Sequence, residues 1–322
     1  MLKKLHIKKN YILAKITVLL FFDLLITWFY RDISGSNYLI ILLFASYILI
    51  CTRIIRTKEP DKYRQLGGSY TIFLIFLLLW MIIISVFKLG DPILYPSPMR
   101  TLEVMVKVFP KFLENLKYSL KLFGISFFLS LITAFPLGLL LGSFEHIRMA
   151  WEPYIKTLSL ISPIAYTPYI VGIMPAFRAA QIFVVFTGTF WPILKWTIFG
   201  MGTLDKNYIL TARLLGMNQR DYYIKVVIPG IMPAVLTGIS ASISGGFTIL
   251  VAAEIIGSRS GLGFFIKYFA DFLNYHNVLA GIIYLGIAVC LVTWIYEKIQ
   301  SYILSWQTNE RRRNFGFYRK IR

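Results

Sequence analysis

Few residues in this chain are placed to do chemistry, and most of those sit in apolar surroundings. Glu254 ends a long greasy run, just before "IIGSRSGLG". An acid at membrane depth is costly unless it faces protein or a water-filled cavity, which makes Glu254 a gate or pathway candidate. The competing assignment is an interfacial residue satisfied by solvent or by Arg259. Asp23 falls in the middle of another apolar run, and the expectation there is structural: neutral, or buried against a neighbouring helix. Arg178, in "MPAFRAAQ", is either an exposed turn residue or a weak attractor of anions. The stretch "SPIAYTPY" brings Pro163, Tyr166, Pro168 and Tyr169 together, as a kinked helix or as the lining of a pathway.

Enzymatic chemistry finds no foothold. The chain has no G-x-x-x-x-G-K-[ST] phosphate loop, no H-E-x-x-H pair, no dense acid cluster and no Ser/His arrangement. His6, His146 and His276 are scattered. Cys51 and Cys290 lie in or beside apolar runs without metal-ligand spacing, which also argues against a disulfide framework. The expectation is therefore a chain that is not an enzyme and holds no metal or cofactor of its own.

The elements that must position these residues are membrane helices. Of 322 residues, 57% are hydrophobic and 15% charged, and the mean hydropathy is +0.66. Soluble domains average about 25% charged residues. Several apolar runs reach the roughly 20 residues that cross a bilayer as a helix. The reading is an all-α polytopic membrane protein with about eight spans, near 11–30, 38–55, 70–88, 118–142, 157–175, 179–200, 229–256 and 278–304.

A formal charge of +19 invites a nucleic-acid partner, but its distribution argues otherwise. The cations gather at Lys3, Lys4, Lys8 and Lys9, at Arg53, Arg56, Lys58, Lys62 and Arg64, and in the tail from Arg311 to Arg322. Short basic segments beside spans stay cytoplasmic and touch anionic lipid. Both termini are thus expected inside, with the bilayer and not nucleic acid as the charged partner. The first run resembles a signal peptide, with a weak cleavage site at Ser34–Ser36, yet is expected to be retained.

Between the third and fourth spans, Leu102, Met105, Val106 and Phe109 recur at helical spacing, which predicts an amphipathic helix in the outer interface. Small residues mark close helix approach: Ala234, Gly238, Ala241 and Gly245 in the seventh span, and Gly138 with Gly142 in the fourth. Pro136, Pro163, Pro168, Pro229 and Pro233 are expected to break helices at or near membrane depth. Such breaks are tolerable only where protein or a lined cavity satisfies the backbone.

One polar stretch interrupts this pattern: "LTARLLGMNQRDYYIKVVIPG", from Leu210 to Gly230. Asp205 is placed to cap a short helix, with Ile209, Leu210 and Leu214 as packing residues and Gly216 ending it in a left-handed turn. Asn218 then caps a second helix, whose direction changes at Pro229. The span count puts this elbow in the cytoplasm. A projecting elbow without a nucleophile is suited to docking in a cleft of another protein.

The stretch resembles the EAA motif of ABC-importer permeases, in which Glu-Ala-Ala is followed by glycine and a distal Ile/Leu-Pro. Leu210, Thr211, Ala212, Gly216, Ile228 and Pro229 occupy those positions. "YPSP" at Tyr95–Pro98, "FPLGLLLG" at Phe135–Gly142 and "AEIIGSRSGLG" at Ala253–Gly263 resemble the nitrate/sulfonate/taurine/bicarbonate branch. The resemblance covers about 91–304. It implies a type I (MetI-like) permease core there, a three-span extension at 1–90, a coupling helix at 205–229 and a basic tail at 305–322. It also implies a cytoplasmic ATPase dimer that carries ATP and Mg, an external binding protein, and a second permease copy, identical or related, in a bacterial cell membrane. The sequence departs from the motif where Leu210 replaces its glutamate and Thr211 its first alanine. Losing the carboxylate shifts the expected ATPase contact towards apolar packing. The alternative class is an ion-coupled secondary transporter, which would call for internal repeats and several intramembrane ionisable groups.

Overall fold

A computed structural model of the protein describes residues 2–30, 35–57, 59–87, 91 and 94–305. Ser34, Lys58 and the tail from Arg311 fall outside them, as do the side chains of Lys3, Lys4, Lys8 and Lys9. No β-strand occurs among the described residues. In chain order the helices are α1 (Leu2–Phe29), α2 (Ser36–Arg56), α3 (Pro60–Met81), α4 (Pro98–Ser143), α5 (Glu145–Leu158) and α6 (Pro163–Ile173). There follow α7 (Phe177–Gly202), α8 (Lys206–Leu214), α9 (Gln219–Tyr222), α10 (Ile228–Gly257), α11 (Leu262–Asp271) and α12 (Tyr275–Ile303). Among the described residues, seven stretches are long and apolar enough to cross a membrane, within α1, α2, α3, α4, α7, α10 and α12 and their immediate extensions.

The chain divides into two units. The first holds residues 1–112 and 266–283, and the second 113–265 and 284–322. In the first, α1, α2 and α3 bury Ile16, Leu20, Leu39, Leu43, Leu74 and Met81 at helical spacing. Asp23 lies in this core, fully buried as expected, and neither carboxyl oxygen has a hydrogen-bond partner.

In the second unit α7 is the central element. Ser126 and Ser130 of α4 donate to the Ile182 and Phe186 carbonyls of α7 at 3.1 and 2.8 Å. In a span without water, such bonds fix one helix against another. A side chain at Gly138 would meet Thr197 at 2.7 Å, and one at Gly142 would meet Met201 at 2.6 Å, so the expected close approach is made, and its partner is α7. Helix α10 packs along another side of α7. There Gly238 would meet Trp196 at 2.6 Å, and Ala234 lies against Gly200. Beyond Gly238 the seam departs from the expected stripe: it follows Ser242 and Gly246, both buried, whereas Ala241 and Gly245 are exposed. A step of four residues follows the inclined ridge by which one helix crosses another, and a step of three leaves it.

The segment expected to cross at 157–175 is divided. Helices α5 and α6 are about 21 and 17 Å long, too short individually for a core of about 30 Å. Together they run antiparallel along α7: Arg148 lies at Gly202, Ile155 packs with Ile198, and Tyr166 donates to Thr187 at 2.7 Å. In place of the eighth continuous span there is thus a broken helical pair. Pro163 sets the break. Its ring drives the preceding Ser162 into the extended region (ψ 125°), and it then occupies the first turn of α6, where no N–H is needed.

The other prolines do less than expected. Helices α4, α6 and α10 continue through Pro136, Pro168 and Pro233. Each proline removes one backbone bond, and flanking turns packed on neighbouring helices hold the axis. The interfacial helix expected near 102–109 is the start of α4, whose 46 residues run unbroken from Pro98 to Ser143. Between Met99 and Phe123 only Pro110 opposes a helix, and the surrounding Leu, Lys, Glu and Met favour one. Leu102 and Met105 are covered, while Val106 and Phe109 are exposed.

Candidate functional site

The elbow forms from the residues that signalled it. The Asp205 carboxylate accepts the Asn207 N–H at 2.9 Å and so satisfies a free donor at the start of α8. At the other end Leu215 donates to the Thr211 carbonyl, and Met217 donates back to the Ala212 carbonyl at 3.2 Å. That pattern needs a left-handed residue between them, and Gly216 supplies it at φ +64°. Asn218 accepts the Asp221 N–H at 2.8 Å and caps the following helix. Lys225 pairs with Asp221 at 3.1 Å along that helix.

Pro229 behaves differently from expectation. It lies in the first turn of α10 and does not turn the chain. A single π turn, Tyr223–Val227, precedes it, with the Ile228 N–H reaching back to Tyr223. The wider turn makes room for a ring that would crowd an α-helical carbonyl. Residues 219–257 therefore run as one helical stretch from the elbow into the membrane.

The base of the elbow is anchored. Val227, Ile231 and Val235 are buried with Leu139, Met201 and Leu204 packed on them, and the Tyr223 hydroxyl donates to Ser143 of α4 at 2.8 Å. Its tip is bare. Ala212 is buried and Ile209 half-buried, but Leu210, Leu214 and Leu215 are 55, 88 and 73% exposed. Leu210 and Leu214 thus do not pack within the chain. Thr211 and Pro229 are exposed as well, and Ile228 is half-buried.

A family model for the binding-protein-dependent transport system inner membrane component matches residues 134–304, just over half of the chain. The chain belongs to that family. Among similar proteins is the taurine transport system permease protein TauC of Escherichia coli, 25% identical over 76% of this chain and 90% of its own. The nitrate import permease protein NrtB of Leptolyngbya laminosa is 28% identical over 58% of this chain and 67% of its own. The bicarbonate transport system permease protein CmpB of Synechococcus elongatus is 30% identical over 55% and 64%. This is an all-helical, multi-pass permease component of a binding-protein-dependent importer, and the permease subunit is not itself an enzyme.

Within the permease, Glu254 is sealed, with no exposed surface. Neither solvent nor Arg259 satisfies it. Ser119 of α4 donates to one carboxyl oxygen at 2.6 Å, and the Gly263 N–H donates to the other at 2.8 Å. Ser119 in turn accepts the Leu262 N–H at 2.8 Å, and Asn115 accepts the Gly261 N–H at 2.8 Å. The glycines of "GLG" are dictated by this knot. Gly261 is left-handed at φ +120° and a side chain there would strike the Glu254 carboxyl group, while one at Gly263 would strike the Val251 carbonyl. Glu254 thus pins the loop between α10 and α11 to α4.

Tyr166 is half-buried and tied to α7, Tyr169 is 69% exposed, Pro163 is buried and Pro168 is exposed. Sequence reasoning missed Ser119, Ser126 and Ser130. The available signal was three serines at spacings of seven and four in an apolar run, which places them on one helical face.

Proposed function

We propose that this permease drives inward passage of a small anion or small organic solute, receiving work through the 205–229 elbow from an ATPase partner that carries ATP and Mg. The observation that carries the reading is the contrast within the elbow: a base packed into the membrane bundle and a tip of exposed leucines. A cluster of bare leucines beside an anchored helix fits a partner's cleft, and a continuous 219–257 stretch is stiff enough to pass displacement into α10. Leu210, Thr211, Ala212, Gly216, Ile228 and Pro229 are assigned to this coupling.

Relatives named for taurine, nitrate and bicarbonate transport support a small anionic or zwitterionic solute, delivered by an external binding protein. A second permease copy is assigned to the far side of α10. There Thr237, Ala241, Ser244, Gly245 and Thr248 expose a small, polar face that suits a pathway or protein contact better than lipid. Tyr166, Tyr169, Pro163 and Pro168 are placed along the pathway and Glu254 at its outer gate. The extents 1–90, 91–304 and 305–322 are proposed as extension, core and cytoplasmic tail.

The test is reconstitution of the permease with its ATPase and binding protein, scoring uptake and ATP hydrolysis together. Uptake that needs ATP and the binding protein, and is lost with elbow variants that still fold, supports the reading. Uptake driven by an ion gradient without ATP would overturn it.

A further inference from the structure

Three cations converge where α5 lies along the C-terminal half of α7. A cavity of about 300 Å³ is lined there by Arg148, Glu152, Lys156, Lys195, Gly202 and Thr203, among others. Arg148, Glu152 and Lys156 are four residues apart, so they share one face of α5. Gly202 lets the guanidinium close in: a side chain there would meet an Arg148 nitrogen at 3.0 Å. Among the described residues none of these four charged groups forms a salt bridge.

Lys195 is the unusual member. It lies seven residues before the end of α7, about 10 Å along the axis and inside the spanning stretch. It also lines a second cavity of about 260 Å³ at the break between α5 and α6, beside Ser159, Ser162, Trp191 and Trp196. An ionisable group at such depth normally has a partner. The negative end of α7 accounts for Arg148, and Glu152 offsets one further cation. One positive charge remains without a counterpart, in a cavity at the small end of the ligand range.

We infer that the α5–α7 cleft binds a single oxyanion, with Arg148 and Lys195 as its main donors and Lys156 at its rim. A half-buried guanidinium at Arg148 and exposed ammonium groups at Lys195 and Lys156 can give charge-assisted hydrogen bonds to phosphate, sulfate or sulfonate oxygens. Two sources offer that chemistry: a free anion in the cytoplasm, or the phosphate of an anionic phospholipid in the inner leaflet. The inference does not rest on ATP-driven import.

The test uses the full-length purified protein in neutral detergent and follows its thermal unfolding. Sodium sulfate is titrated against chloride at constant ionic strength. Dioctanoyl phosphatidylglycerol is titrated separately against dioctanoyl phosphatidylcholine. Sulfate strengthens apolar burial non-specifically, so the comparison between variants carries the weight. A saturable rise in Tm is expected, with apparent affinity falling about tenfold or more in Lys195→Gln and Arg148→Gln and retained in Lys195→Arg. Lys195 and Lys156 are both exposed and Arg148 half-buried, so Lys156→Gln, which should also weaken the response, keeps the test open if Arg148→Gln folds poorly. A response to both ligands assigns a free oxyanion, and one to phosphatidylglycerol alone assigns the lipid phosphate. Equal responses in the parent and all variants, or no response to either ligand, would overturn the inference.

Discussion

Gly216 carries the sharpest conformational demand in the elbow, at φ +64° with open space where a side chain would stand. The cost of replacing it is therefore backbone strain and not collision. An ordinary L residue pays about 1–2 kcal/mol in this region, and a β-branched one more. Gly216→Val should displace α8 and lower uptake and coupled ATP hydrolysis together, while Gly216→Asn, which tolerates this region, should retain most of both. Parallel uptake and ATPase assays on the two variants check this; equal behaviour would remove the elbow from the coupling path. Leu210→Glu is different, because Leu210 is 55% exposed. Alone, the permease should shift in stability by no more than about 0.5 kcal/mol. With the ATPase bound, loss of association marks a cleft without a basic partner, and retention marks one that has it. At Glu254 the prediction is structural. Glu254→Gln puts an amide NH₂ against the Ser119 hydroxyl or the Gly263 N–H, and should cost about 1–3 kcal/mol in detergent unfolding. In a cycle with Ser119→Ala the two losses should be non-additive, and additive losses would sink the pairing. Gly216, Asp205 and Asn218 were legible because caps and left-handed turns are local. The Glu254 knot was not, because Ser119 lies 135 residues away in sequence.

At the scale of elements, spans follow from apolar length alone, so the ends of seven were readable within two residues, whereas the starts expected near 70, 118 and 229 fall inside longer stretches that begin at Asp61, Pro98 and Gln219. What helices pack against is less readable, because several faces of a membrane helix are apolar at once. The small-residue stripe of α10 illustrates the limit: Ala234 and Gly238 lie against α7, whereas Ala241 and Gly245 are exposed. The contrast gives a paired prediction. Gly238→Leu must overlap Trp196 and the Pro192 carbonyl, and overpacking of this kind costs about 1–3 kcal/mol or more. It should lower the melting temperature of the isolated permease and its yield in detergent. Gly245→Leu meets nothing within 4 Å and should leave that melting temperature unchanged. If a second copy covers the outer face of α10, Gly245→Leu should instead reduce the dimer fraction in size-exclusion chromatography with light scattering. A melting temperature lowered as far by Gly245→Leu as by Gly238→Leu would place the seam elsewhere.

At the scale of the whole molecule, the side of the membrane that the elbow occupies depends on whether α5 and α6 cross. Seven continuous spans are an odd number. If α5 and α6 stayed on one side, a chain starting in the cytoplasm would put residues 205–229 outside, away from ATP. If the broken pair crosses along its antiparallel course on α7, the count before the elbow becomes six and the elbow returns to the cytoplasm. The basic segments at Lys3–Lys9 and Arg53–Arg64 then lie on the inside too, in keeping with the retention of positive loops. A chain in which Cys51 and Cys290 are replaced by serine provides the background for single cysteines. Thr211→Cys in the exposed elbow should resist a membrane-impermeant maleimide in intact cells and react fully in inverted vesicles. Tyr95→Cys, 53% exposed between α3 and α4, should show the opposite pattern. Labelling of both positions from the same side would mean that α5 and α6 do not cross. The elbow could then receive no work from a cytoplasmic ATPase, however well its leucines suit a cleft.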